Sequence, residues 1–245
     1  MRFEKKLNRK EKRANKFDRI ESSPSHNQNE NGYVVKAPTA MNKAQQQYLN
    51  SIYANIITFG IGCAGTGKSF LALSYAAQQL QLKNVSKIII SRPLVEAGES
   101  LGYLKGELSD KTEPWMLPMI EILNKRLGKT STEYYLNKKI IEFKPLAYLR
   151  GTTFNDAVVI LDEAQNTTPK QLEMFLTRIG DEGNIKVIID GDYRGQKDIQ
   201  GFSGLEDAVM RLKGLESEGI GFCYFDIEDV VRSGICKSIL KAYRN

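Results

Sequence analysis

Eight consecutive residues, Gly62-Cys63-Ala64-Gly65-Thr66-Gly67-Lys68-Ser69, satisfy the pattern G-x4-G-K-[ST] and constrain this chain more than any other feature. Such a loop works only between a strand and a helix, because its backbone N–H groups must converge on phosphate oxygens at a helix N-terminus. Both flanks are legible. Ile56 to Ile61 is a short apolar run, and Phe70, Leu73, Ala77 and Leu80 recur at helical spacing over Ser69 to Leu80. The stretch from Gly62, Cys63, Ala64, Gly65, Thr66 and Gly67 through Phe70 is therefore the expected nucleotide-binding segment. Lys68 would bridge the β- and γ-phosphates, and Ser69 would ligate Mg2+.

The rest of the chain repeats the alternation. Lys87 to Ser91, Ala157 to Leu161, Lys186 to Asp190 and Gly221 to Phe225 are β-branched or aromatic runs, apolar on both faces, as buried parallel strands are. Pro169 to Arg178 is expected to be helical, with Thr167 or Thr168 as its cap. The predicted class is α/β: a three-layer P-loop fold of the RecA or helicase type on a mainly parallel sheet. The run Val158 to Leu161 ends in Asp162-Glu163, which sets two carboxylates at the sheet edge where α/β ligands bind. Asp162 would hold Mg2+ through water, and Glu163 would act as general base. A third run ends in Asp190-Gly191-Asp192, followed by Tyr193-Arg194-Gly195-Gln196, where a polar side chain can report on the γ-phosphate.

Composition excludes several alternatives. A chain of 245 residues, 41% hydrophobic and 26% charged, can bury a full core. No apolar run approaches the roughly 20 residues a membrane span needs. The positively charged start leads into no apolar segment, so a cytosolic protein is expected. One histidine, His26, and three cysteines without CxxC spacing (Cys63, Cys223, Cys236) argue against a Ser-His-Asp triad or a structural zinc site. Residues 1–19 hold nine Lys or Arg against three Asp or Glu, which is the whole net charge of +6. This arm, with the polar stretch 21–32, is separated as 1–34 from a domain at 35–245. Clustered terminal charge of this kind suits a polyanion such as nucleic acid.

Beyond the phosphate loop, the chain resembles the PhoH-like ATPases, whose core is similar to the ATP-binding domain of superfamily 1 helicases. The resemblance runs through Ser91-Arg92-Pro93-Leu94-Val95-Glu96-Ala97-Gly98-Glu99-Ser100-Leu101-Gly102. It continues through Pro145 to Thr152, Asn155-Asp156-Ala157, ILDEAQNTTP, FLTRIG and Asp229-Val230-Val231-Arg232. It implies ATP and Mg2+ as ligands and a glutamine that reads adenine, Gln45, with Gln46 and Gln47 open as alternatives. It implies an arginine at the γ-phosphate, Arg232, with Arg178 as a second candidate. Three departures stand out. Gln196 lies four residues after Asp192, where the family has G-D-x-x-Q. Cys63 replaces a proline, and Lys105 stands where proline is common.

Superfamily 1 helicases work by closing two such domains on ATP, whereas the length here suits one. The resemblance therefore implies a homo-oligomer, a ring such as a hexamer, acting on single-stranded RNA or other nucleic acid with arginine supplied in trans. A nucleotide-gated regulatory protein with negligible turnover is the alternative. A small-molecule kinase is disfavoured by the Asp162-Glu163 pair, which points to water activation.

Overall fold

The computed structural model describes residues 35–94, 108–192, 195 and 197–244. The basic arm 1–34, the signature residues Val95 to Glu107 with Lys105, and Tyr193, Arg194 and Gln196 lie outside the described residues. Contacts divide the chain between Lys36 and Ala37, and the unit Ala37–Asn245 contains every element named below.

Six strands form one sheet: β1 (Ile57–Gly62), β2 (Lys87–Arg92), β3 (Ile141–Pro145), β4 (Ala157–Leu161), β5 (Ile185–Gly191) and β6 (Ile220–Phe225). Their order is β3-β2-β4-β5-β1-β6, and every pairing is parallel. Five strands match the apolar runs to within two residues. The sixth, β3, reads IEFKP and was not predicted. It is an edge strand, only partly buried, whose Glu142 faces the ammonium groups of Lys87 and Lys144. An edge strand needs no second apolar face, and proline at its end costs no ladder hydrogen bond.

Helices cover both faces. On one face pack α1 (Lys43–Ala54), α2 (Lys68–Gln81), α3 (Leu108–Leu127) and α4 (Lys129–Asn137). Helix α3 carries Pro114 and Pro118 within it, which disguises it in the sequence, since interior proline normally ends a helix. Its buried stripe Trp115, Met119, Leu123 and Leu127 keeps helical spacing and seats it on the core. The other face holds α5 (Pro169–Leu176) and α6 (Gly204–Leu212), with α7 (Gly234–Arg244) closing the chain. Thr168 caps α5: its hydroxyl accepts from Gln171 N, and Gln171 Oε1 accepts from Thr168 N at 2.8 Å. Strand residues alternate between the two cores. Val158 and Ile160 of β4 point to the α2 side, and Ala157, Val159 and Leu161 to the α5 side. None of the three cysteines is in a disulfide. Among the described residues, no helix is long and apolar enough to cross a membrane.

Gly60, in the middle of β1, is a packing requirement. A Cβ there would lie 2.5 Å from Asp190 Oδ1 and 2.8 Å from the Tyr48 ring. Gly60→Ala is expected to cost about 1–3 kcal/mol, lowering the melting temperature by roughly 3–10 °C. An unchanged melt would mean that Tyr48 and Asp190 can move apart freely.

Candidate nucleotide site

The carboxyl ends of β1, β4 and β5 open onto a cleft of about 470 Å3, bounded by the loop after β1, the start of α2, Asp162-Glu163, Asp190 and Arg232. Gly67 caps α2 at φ +84 and Gly65 lies at φ +82, conformations open to glycine at little cost. Lys68 is buried and its ammonium curls into the loop. It donates to Gly62 O (2.7 Å), Cys63 O (2.8 Å) and Thr66 Oγ1 (3.2 Å). Cys63 and Thr66 are fully buried beneath it, while Phe70 is exposed at the cleft rim.

Ser69 Oγ donates to Asp162 Oδ1 at 2.9 Å, so the hydroxyl of the phosphate loop meets the carboxylate of β4 across the intervening strand β5. Burial pushes the Asp162 carboxyl up, the neighbouring Glu163 charge adds to this, and Arg92, Ser69 and Lys68 pull it back. Glu163 sits at φ +53, a left-handed conformation that is costly for a non-glycine residue and held here by its surroundings. Its Oε2 accepts from Gln165 Nε2, and its Oε1 lies 3.5 Å from Arg92 Nη2. Gln165 Oε1 accepts from Asp192 N at 3.1 Å. Asn166 and Asp198 exchange two further hydrogen bonds of 2.8 Å, tying the turn after β4 to the chain after β5.

Of the three glutamines, Gln45 is the buried one beside the loop. Its Nε2 donates to Thr66 O (2.9 Å) and its Oε1 accepts from Met41 N (2.7 Å). Gln46 is exposed and bonded to Asn50, and Gln47 is exposed. Arg232 lies along Gly65, carried there by Val231, whose N–H donates to Gly65 O at 3.0 Å. Arg178 is not brought to this cleft. Helix α5 leaves the carboxyl end of β4 and runs back, so its last turn reaches Phe154, whose N–H donates to Arg178 O. The guanidinium there bonds Met174 O and Thr177 Oγ1 of its own helix. A five-residue strand, roughly 16 Å, separates the two sheet edges.

Four residues that the sequence left without roles also belong here. Arg92 ends β2 beside the carboxylate pair, and Gln165 bridges Glu163 to Asp192. Tyr48 OH, on α1, makes a short hydrogen bond to Asp190 Oδ1, and both residues are buried. Strand order and the packing of α1 on the sheet bring these residues together, and neither is written in motif spacing.

The family model described as PhoH-like protein matches residues 38–244. The chain belongs to that family. It is 46% identical over 205 residues to a PhoH-like protein of Bacillus subtilis (strain 168), covering 81% of this chain and 61% of that one. It is 43% identical over 207 residues to Protein PhoH of Escherichia coli (strain K12), covering 83% and 57% respectively. The chain thus spans about three fifths of the length of these curated relatives. The crystal structure of the HK97 bacteriophage large terminase superposes with a TM-score of 0.52 over 86% of this chain and 49% of that one. At 14% identity, this likeness is one of fold.

Proposed function

We propose that this PhoH-like chain is an ATP-binding, Mg2+-dependent ATPase, coupled to single-stranded nucleic acid, RNA foremost, and working as a ring-like homo-oligomer. The observation that carries the enzymatic part is the Ser69–Asp162 hydrogen bond, with Glu163 next in the chain. A hydroxyl and a carboxylate oxygen suit a hard cation. Among the described residues no group of three His, Cys, Asp or Glu side chains is arranged to hold a metal ion by itself, so this pair would share Mg2+ with phosphate oxygens. Lys68 fits a phosphate equally well, because its three acceptors are loop oxygens that a triphosphate can replace. When bound, Mg2+ neutralises charge on the β- and γ-phosphates.

The chain's own residues do the rest. Lys68 turns from the loop carbonyls to phosphate oxygens, and Gln45 at the loop's flank reads adenine. Glu163 accepts the proton of a water that attacks the γ-phosphorus in line, while the bond to the β-phosphate oxygen breaks and ADP leaves. Arg232, beside Gly65, meets charge developing on the transferred group. Gln196, proposed to touch the γ-phosphate, lies outside the described residues. The basic arm supports a nucleic-acid partner, since each phosphate that it neutralises releases counterions.

The test is steady-state hydrolysis of ATP with Mg2+, with and without single-stranded RNA and DNA, by the full chain and by one beginning at Tyr33. RNA is expected to raise turnover several-fold, and the shortened chain to lose that response. Tight ATP binding without turnover would instead select the nucleotide-gated switch. Light scattering that finds a strict monomer with ATP and RNA present would remove the ring.

A further inference from the structure

We infer that Arg92 is a further positioning residue of this site, acting on the reaction through Glu163. Asp162 N donates to Ser91 O at 2.9 Å, which locks the end of β4 to the end of β2 and sets Arg92 beside the carboxylate pair. Its guanidinium spans both acids, with Nη1 3.9 Å from Asp162 Oδ2 and Nη2 3.5 Å from Glu163 Oε1. The remaining oxygens are also engaged: Asp162 Oδ1 by Ser69 and Glu163 Oε2 by Gln165. Each carboxylate therefore has polar neighbours on two sides, and among the described residues Arg92 is the cation within ion-pair distance of both.

The chemistry explains why a cation belongs there. Two adjacent carboxylates at a sheet edge repel each other, and Asp162 is almost wholly buried. A planar guanidinium can face two acceptors at once, which a lysine ammonium does less well. Arg92 is half-buried rather than enclosed, and its contacts exceed hydrogen-bond length, so it steers the pair instead of clamping it. Its consequence for Glu163 is orientation. With Gln165 hydrogen-bonded to one oxygen and Arg92 facing the other, the carboxylate is biased toward one orientation, and displacement of a general base by about 1 Å can cost on the order of a hundredfold in rate. Arg92 need not reach the reacting phosphate at all.

The assignment rests on the hydrolytic role proposed for Glu163, and a double-mutant cycle in the full chain separates the two. Steady-state kcat and KM for ATP, the dissociation constant of a fluorescent ATP analogue, and the melting temperature are measured for Arg92→Ala, Arg92→Lys, Glu163→Gln and the Arg92→Ala/Glu163→Gln pair. Arg92→Met, which keeps the stem, replaces the alanine variant if the latter melts more than a few degrees early. Arg92→Ala is expected to lower kcat by about 10- to 100-fold, with analogue affinity within about threefold and part of the rate restored by lysine. In the Glu163→Gln background it should change nothing further, because a residue acting through Glu163 has nothing left to act on. A further drop in that background would show that Arg92 acts through Asp162 or on the phosphates rather than through Glu163 and overturn the inference, as would an unchanged kcat or a loss confined to nucleotide binding. Full turnover by Glu163→Gln itself would instead remove the role proposed for Glu163.

Discussion

Glu163→Gln is expected to lower kcat for ATP hydrolysis by roughly 100- to 10,000-fold, while the affinity for an ATP analogue stays within about threefold. Glutamine keeps the length and planarity of the side chain but cannot take a proton from water. It also loses the charge that draws Arg92, so the group is both inert and less well aimed. The protein should melt no earlier than the wild type. Glu163 contributes to raising the Asp162 carboxyl, and removing its charge relieves that repulsion inside a buried pair. An unchanged or higher melting temperature with turnover nearly abolished is the signature of a group kept for chemistry at some cost in stability. Turnover retained within a few-fold would show that the proton goes elsewhere and would remove Glu163 as the general base.

The contrast between Ser69 and Arg92 shows what the sequence could and could not disclose about this site. Ser69, Lys68 and Asp162 were legible because each is fixed by local spacing: a loop between a strand and a helix, and an acid at the end of an apolar run. Their convergence follows from any parallel sheet whose strands end on one edge. Arg92 sits at the end of a strand just as Asp162 does, yet its importance depends on β2 lying next to β4. That choice of neighbour is made by packing over the whole sheet. Arg178 shows the opposite error. Its place in a family block suggested a phosphate contact, but α5 must run antiparallel to β4 to cover the sheet, and eight helical residues carry Arg178 to the far edge. Strand β3 and helix α3 were hidden for a different reason. Charged alternation in IEFKP and two interior prolines are local signals that tertiary burial overrides.

The buried carboxyl of Asp190 makes the second large effect a matter of pH. Its Oδ1 accepts from Tyr48, its Oδ2 has no hydrogen-bond partner, and it is 1% exposed. Burial pushes it up to about 7 from an ordinary carboxylate value, although the Tyr48 hydrogen bond and the Lys68 charge pull the other way. A carboxyl raised in the folded state favours folding while it is protonated. Its contribution is therefore complete below about pH 4, declines as pH rises, and is lost once pH passes about 7. Asp190→Asn, neutral throughout and still able to accept from Tyr48, removes that dependence. Between pH 5 and 8.5 the stability of the variant relative to wild type should improve by about 3 kcal/mol, or roughly 6–12 °C in melting temperature. Tyr48→Phe deletes a bond that favours the ionised form, so in that variant the decline, which starts at the same pH, should continue to a higher pH than in the wild type. Melting temperatures that run parallel across this range for wild type and Asp190→Asn would mean that Asp190 is already ionised in the folded protein. The same proton bears on the cleft. A neutral Asp190 adds no negative charge beside Lys68 when a triphosphate arrives, so ATP affinity should weaken as pH rises through 7 in the wild type and much less in Asp190→Asn.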